Sequence, residues 1–217
     1  MIRKLLIAAT LAAGGAGASA GEVYAGVGLP GLMLGFARPL NDAFTIRGDW
    51  ATLGSRRKQL TEEGITYDAN LGFNRLGLFG DWFFWGGMRL TAGLTFNNLT
   101  AEFMTQGDGT KQYQIGSSPP VVLTSNDKLN VTISYPRTTP YLGLGYGHQA
   151  STGWGFTFDL GASYGKATVS ETHSGPILTN PALVSQSDID QEMAQLREGV
   201  GKIRYIPQVS IGLNYRF

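Results

Sequence analysis

The residues best suited to acid–base chemistry are the two histidines of the sequence. His148 stands in a short segment rich in glycine and polar residues, and His173 has Glu171 and Ser174 beside it. A hydrolytic site needs a nucleophile, a base and an orienting carboxylate that meet in space, which closeness in sequence does not establish. The sequence also lacks cysteine and any cluster of histidines that could hold a metal. We therefore predict no enzymatic activity, no metal and no cofactor.

A larger set of polar residues recurs at alternate positions and could act on charged solutes. Its members are Arg47, Asp49, Asp68, Asn70, Arg89, Asp159, Arg204 and Arg216. Because both signs of charge are present, the set could line a path for polar or zwitterionic solutes. Buried charges must be paired, so the same residues could instead form a plug of ion pairs. The choice depends on the elements that carry them.

Those elements are predicted to be strands, because apolar and polar residues alternate along them. In the last segment the odd positions from Tyr205 to Phe217 are apolar or aromatic. The even positions from Arg204 to Arg216 are polar or glycine, except for Ile206. A helical period appears only late in the chain.

The strands are long, and the connections between them alternate between short and long. Segments 64–80, 88–103, 131–147, 154–170 and 202–217 exceed the roughly 5–6 residues of ordinary strands and the ~9–11 that cross a membrane. Connections 38–43, 81–87 and 147–153 are short, whereas 54–63, 104–128 and 171–201 are long. Such a rhythm is typical of outer-membrane β-barrels, which place tight turns in the periplasm and long loops outside.

The rhythm predicts an all-β fold, a transmembrane antiparallel up-and-down barrel of about eight strands. The predicted strands are 23–29, 32–38, 43–54, 64–80, 88–103, 131–147, 154–170 and 202–217. An even count requires an early hairpin at Leu29-Pro30-Gly31 and places both termini in the periplasm. A slip in the alternation between Phe73 and Leu76 predicts a bulge near Asn74-Arg75.

The first 20 residues predict a secretory signal peptide, with residues 21–217 forming the barrel. Arg3 and Lys4 precede a short apolar stretch, and Ala18-Ser19-Ala20 is typical of a cleavage site. Removing these two cations changes 17 basic and 16 acidic residues to 15 and 16, a net charge of −1. A nearly neutral chain has no electrostatic bias towards nucleic acid.

The apolar face of the strands is predicted to meet lipid. Its members are Phe44, Ile46, Trp50, Tyr67, Ala69, Leu71, Phe73, Leu90, Leu94, Phe96, Leu142, Leu144, Phe156, Phe158 and Leu160. Aromatic residues near the periplasmic strand ends are predicted to lie at the lipid interface: Trp82, Phe84, Trp85, Trp154, Tyr215 and Phe217. We expect a monomer that contacts outer-membrane lipid and meets the barrel-assembly machinery through its C-terminal aromatic strand.

The last long connection carries a helix signal over 187–200. Ser187 is the predicted N-cap, and Asp188 and Asp190 follow in the first turn. Ile189, Met193, Leu196 and Val200 recur at helical spacing, with Gly199 able to end the helix. A helix with one apolar stripe needs a surface to cover, so we predict that it folds over the barrel mouth or against the rim.

Several short motifs follow one another in the second half of the chain. They are Thr139-Pro140-Tyr141-Leu142-Gly143-Leu144-Gly145-Tyr146, then Gly153-Trp154-Gly155, Asp159-Leu160-Gly161-Ala162, Asp188-Ile189-Asp190-Gln191-Glu192 and Tyr205-Ile206-Pro207. In this order they resemble the CarO-like, carbapenem-associated family of small outer-membrane barrels. The resemblance implies an eight-stranded monomeric barrel with large external loops. It also implies a link to uptake of small amino acids, notably ornithine, and to carbapenem susceptibility. No ligand motif can be transferred residue by residue.

Two functions follow from this architecture. The first is a narrow, porin-like channel for slow uptake of small polar or zwitterionic solutes. The alternative is a closed structural or surface-interaction barrel that acts through its external loops. An eight-stranded interior is wide enough only for side chains or one small ligand, so size alone favours a plug. A lipid-modifying enzyme would require His148 or His173 to meet a serine and an acid at the membrane rim.

Overall fold

A computed structural model describes residues 21–62, 65–148 and 152–217. The predicted signal peptide, residues 1–20, lies outside the described residues. Among the described residues no helix is both long and apolar enough to cross a membrane.

The described chain is mostly antiparallel strand, with one helix between the last two strands. The strands are β1 (Glu22–Gly28), β2 (Gly31–Pro39), β3 (Phe44–Glu62), β4 (Ile65–Trp85), β5 (Met88–Gln106), β6 (Gln112–Tyr113), β7 (Val121–Val122), β8 (Lys128–Ser134), β9 (Thr138–Tyr146), β10 (Gly153–Tyr164), β11 (Thr168–Ser174) and β12 (Tyr205–Arg216); the helix is α1 (Gln186–Gly201).

The strands close into a ring, which confirms the predicted eight-stranded barrel. Consecutive pairing runs from β1 to β5, then through β9 and β10 to β12. The ring closes where β12 pairs with the whole length of β1. Strands β8 and β9 both pair with β5, so together they form one strand of the barrel wall with a break between them. In the same way, β11 follows β10 along the wall and pairs with β8. Pro136 lies in the break between β8 and β9, and it has no N–H that could join the hydrogen bonds between strands.

The early hairpin is confirmed at Leu29 and Pro30, between β1 and β2. Gly31 follows with φ 95°, and a Cβ there would lie 2.0 Å from the Thr52 carbonyl oxygen, so glycine is required. The connection expected at 54–63 is wrong, because β3 continues to Glu62 and pairs with β4 throughout. Most residues of this extension are basic or polar, so the extension lacks the alternation of apolar and polar residues that indicates a half-buried strand.

The expected bulge at Asn74-Arg75 is also misplaced. The irregularity lies in β3, between Thr52 and Gly54, whereas β4 pairs regularly with β5 through the same region. Strand β4 therefore keeps its alternation, and Phe73 points inwards, where it is 6% exposed rather than facing outwards as predicted. Most of the other predicted outward residues are exposed, as Leu142 at 61% and Phe156 at 75% illustrate.

Beyond one end of the barrel, β3, β4, β5, β8 and β11 continue as an external sheet covered by a cap. The cap consists of α1 and the segment 107–127, which contains the β6–β7 hairpin. Helix α1 packs its predicted apolar stripe, Ile189, Met193, Leu196 and Val200, against β8 and β11. Ser185 rather than Ser187 is the N-cap, because its side chain accepts from the Asp188 N–H.

Candidate functional site

Two arginines and two aspartates meet at the centre of the barrel. Arg47 donates from Nε to Asp81 at 2.9 Å and from Nη2 to Asp159 at 2.8 Å. Arg89 donates to the same two carboxylates, at 3.0 Å to Asp81 and 2.9 Å to Asp159. The four side chains come from β3, β4, β5 and β10, so the network ties opposite walls together.

A second layer lies towards the external sheet. Arg75 donates to Asp49 Oδ1 at 2.6 Å and also bonds Gln208. The Phe79 ring stands beside two guanidinium groups, with its centroid 4.6 Å from Arg47 Cζ and 5.5 Å from Arg75 Cζ. Three arginines, at 47, 75 and 89, thus balance three aspartates, at 49, 81 and 159, as buried charge requires.

Glycines on neighbouring inward positions make room for these large side chains. A Cβ on Gly145 would lie 2.6 Å from Arg89 Cζ, and one on Gly77 would lie 2.2 Å from Phe79 Cε2. A Cβ on Gly35 would likewise collide with the Tyr24 ring. The glycine-rich inward face is therefore shaped for a filled interior and not for a water-filled lumen.

A separate buried cluster closes the end of the barrel that carries the short turns. Glu22, next to the described N-terminal end, accepts from Arg216 Nη2 at 2.9 Å and pairs with His148 Nδ1. The same Arg216 nitrogen donates to the His148 carbonyl oxygen at 2.9 Å. The cluster links the first strand, the last strand and the turn after β9.

Neutral hydrogen bonds fill the interior towards the external sheet. The hydroxyls of Thr95 and Thr139 are 2.7 Å apart, and the Asn97 amide donates to Thr139 Oγ1 at 2.8 Å. Gln208 donates to Ser163 Oγ at 2.7 Å and so connects this layer to Arg75.

The central interior holds little free space. The cavity between Met33, Asp49, Arg75 and Tyr141 measures about 10 Å³, which is close to the room needed by one water molecule. In the described structure the middle of the barrel is therefore closed by side chains.

Five of the eight residues predicted to line the interior lie inside it: Arg47, Asp49, Arg89, Asp159 and Arg216. Asp68 is exposed and Asn70 half-buried, because both lie on the outward-facing parity of β4 where that strand joins the external sheet. Arg204 is exposed as well, since it precedes the start of β12. These three take no part in the network.

Among the charged residues and histidines of the interior, sequence reasoning missed Glu22, Arg75, Asp81 and His148. Arg75 was hidden by the bulge assigned to β4, and Asp81 was assigned to a turn although β4 continues to Trp85. The odd-position alternation from Phe73 to Asp81 carries the signal that identifies both.

Neither histidine lies in a recognisable hydrolytic site. His148 is buried against Glu22 and Arg216, and His173 Nδ1 lies 3.0 Å from Glu171 Oε2 on the external sheet. No serine hydroxyl bonds either ring within the described ranges. A metal-binding group of three or more histidines or carboxylates is likewise absent from the described residues.

The six predicted interface aromatics are exposed at the short-turn end of the barrel. The rings of Trp154 and Tyr215 are tilted by 58° with their centroids 5.2 Å apart, and those of Trp82 and Phe84 lie 6.2 Å apart. Trp85 ends β4 next to the turn at Gly86, and Phe217 follows the end of β12.

Two carboxylates fasten the external cap. Asp188 accepts from the hydroxyls of Ser118 at 2.6 Å and Ser117 at 2.7 Å, and from the Ser117 N–H at 3.0 Å. These bonds, with that from Ser185, hold the pKa of Asp188 well below its usual range. Asp127 accepts from Thr124, Ile177 and Leu178; burial opposes its ionisation, but these hydrogen bonds outweigh burial and lower its pKa.

Solved structures share this fold. The crystal structure of Acinetobacter baumannii CarO matches with a TM-score of 0.56 and 21% identity, over 91% of this chain and 97% of that chain. That of A. baumannii CarO2 matches with a TM-score of 0.57 and 16% identity, over 92% and 98%. The expected CarO-like small-barrel fold is thus confirmed. No family model and no curated protein matches the sequence.

Proposed function

We propose that this protein is an outer-membrane β-barrel that is closed inside and acts through its external sheet and cap. The observation that carries the proposal is the unbroken network of Arg47, Asp49, Arg75, Asp81, Arg89 and Asp159 across the interior. The role is that of a structural or surface-interaction barrel without enzymatic activity.

A membrane location follows from the outer wall. Large apolar side chains such as Leu32, Leu78 and Ile211 are exposed on it, in a ring without free edges. Soluble monomers rarely expose so large an apolar surface, and lipid demands that every backbone group be paired. By the usual orientation of such barrels, the short turns and both termini face the periplasm and the cap faces outwards.

Closure follows from the cost of separating the charges. A solute crossing the centre would have to break the contacts of Arg47 and Arg89 with Asp81 and Asp159. Each guanidinium or carboxylate left without its partner in a dry interior costs several kcal/mol. The barrel walls hold these groups in place, which favours a permanent plug.

Slow uptake of a small zwitterion is the second candidate. The observation that favours it is the balanced, two-signed interior, where a solute's ammonium and carboxylate could replace one ion pair. This route requires side chains to rearrange, and Arg75 with Asp49, beside the small cavity, would have to move first.

Solute flux into liposomes tests the proposal. Purified protein should give no faster swelling in glycine or in sucrose than protein-free liposomes. The double variant Arg47→Ser with Asp159→Ser removes one cation and one anion together and should raise flux several-fold. Glycine flux through the unaltered protein would overturn closure and favour uptake.

Deleting 188–198 should leave flux unchanged, because the plug lies below the cap; increased flux would make the cap the barrier.

A further inference from the structure

The outer wall has a groove where two glycines replace large side chains. Along β3 the outward positions are Phe44, Ile46, Gly48 and Trp50, and along β4 they are Leu76, Leu78, Gly80 and Trp82. Gly48 pairs with Leu78, and Gly80 pairs with Ile46, so the two gaps lie diagonally across the two strands. The resulting groove measures about 500 Å³.

Neither glycine is required by the backbone. A Cβ on Gly80 would come no closer than 4.0 Å to any atom outside its neighbours, and one on Gly48 would make an ordinary contact at 3.4 Å with Leu78. Inward glycines such as Gly77 differ, since a Cβ there would lie 2.2 Å from Phe79. What these two glycines do is leave open space on the outer face of the wall.

The groove combines apolar walls with one cation. Phe36, Ile46 and Leu78 form its sides, and Arg38 stands at its short-turn end, paired with Ile46 across the sheet. Arg38 is exposed and makes no ion pair with any described residue, Asp42 of the adjacent turn included. A guanidinium at the edge of an apolar surface matches the phosphate of a lipid headgroup.

We propose that this groove binds one phospholipid, with an acyl chain between Phe36 and Leu78 and the headgroup phosphate on Arg38. The inference rests on the membrane location proposed above and adds a specific lipid site to it. The groove volume falls within the range of about 300–1,000 Å³ typical of ligand sites. The lipid belongs to the leaflet at the short-turn end, where the aromatic residues mark the interface.

Native mass spectrometry in a maltoside detergent tests the site. The probe is dipalmitoyl phosphatidylglycerol, and the comparison probe is the diacylglycerol with the same chains but no phosphate. The unaltered barrel should retain one phosphatidylglycerol. Gly80→Leu, which fills the groove, should weaken retention of both probes at least tenfold. Arg38→Gln should weaken only the phosphate-bearing probe, several-fold.

Matched controls keep the result interpretable. Gly72→Leu fills another outward position whose nearest contact is 3.7 Å away, and Arg57→Gln removes an exposed arginine outside the groove; both should bind like the unaltered barrel. Gly80→Ala provides a smaller filling if the leucine variant does not fold. Unchanged retention in a folded Gly80→Leu barrel would overturn the site. Solute flux through a barrel that still binds lipid would contradict only the proposed closure.

Discussion

In the barrel interior, Arg89 and Asp81 are fully buried 3.0 Å apart, whereas in the external cap Ile189 and Met193 are buried in an apolar cluster. Both regions are filled, but by different chemistry. In the proposed membrane location, lipid surrounds the barrel, and its polar groups lie inside, where they neutralise one another. The cap then stands in water, where an apolar core stabilises it in the usual way. The two regions should therefore fail under different perturbations.

The largest expected effect comes from removing one charged side chain from the interior network. Asp81→Ala leaves the buried Arg47 and Arg89 with only Asp159 in common, so one positive charge of the interior is uncompensated, which should destabilise the barrel by about 3–5 kcal/mol. Urea unfolding in lipid vesicles measures this loss. Glu198→Ala, which removes an exposed pair with Lys202, should give no measurable change. Equal stability of the Asp81 variant and the unaltered protein would show that the network contributes little.

Truncating the cap core should act on the cap alone. Met193→Ala removes a buried side chain, at an expected cost of about 2–5 kcal/mol of local stability. Amide hydrogen exchange along α1 should accelerate accordingly, while exchange in β1 and β12 stays unchanged. The exposed Gln195→Ala serves as the control. Faster exchange in the barrel strands would show that cap and barrel unfold as one unit.

Acid should loosen the cap. The pKa values of Asp188 and Asp127 lie below the ordinary 3.8, so their ionised forms stabilise the cap at neutral pH. That contribution is complete above about pH 4 and is lost as the pH falls through the lowered pKa values. A spin label at Ala194→Cys should therefore become mobile only below pH 4. Asp188→Asn should remove much of this pH dependence, whereas Asp190→Asn should not; equal effects would refute the assignment.

The smallest effect concerns the start of α1. Ser185→Ala removes the N-cap acceptor and should cost about 1 kcal/mol of helix stability, visible as faster exchange in the first turn of the helix. Ser187→Ala should leave that exchange unchanged, because Ser187 lies inside the helix. The reverse order would restore Ser187 as the cap.

The comparison of the two regions also explains what the sequence could predict. Alternation is local, so it located Arg47, Asp49, Arg89 and Asp159 on inward positions, and the rhythm of short and long connections predicted about eight strands. It failed at Arg75, because a bulge was assigned to β4 there, whereas the strand pairing places the irregularity in β3 and leaves the alternation of β4 intact.

The cap could be predicted only in part. The sequence showed the apolar stripe of α1, but it did not show which part of the protein the stripe packs against. Asp188 meets Ser117 across 71 residues, and Asp127 meets Ile177 across 50. Contacts of such separation leave no pattern in a single sequence. The polar extension of β3 was missed for a related reason, since both faces of the external sheet can carry polar residues there.

Accessibility of the interior to a charged thiol reagent tests closure most directly, since the chain has no cysteine of its own. Thr91→Cys places a thiol beside the fully buried Asp81 and Arg89, and Ser125→Cys places one in the exposed loop. In lipid vesicles, a cationic methanethiosulfonate should label the thiol at position 125 rapidly and leave that at position 91 unreacted. Labelling of both positions at similar rates would show an open aqueous path and contradict the closed barrel.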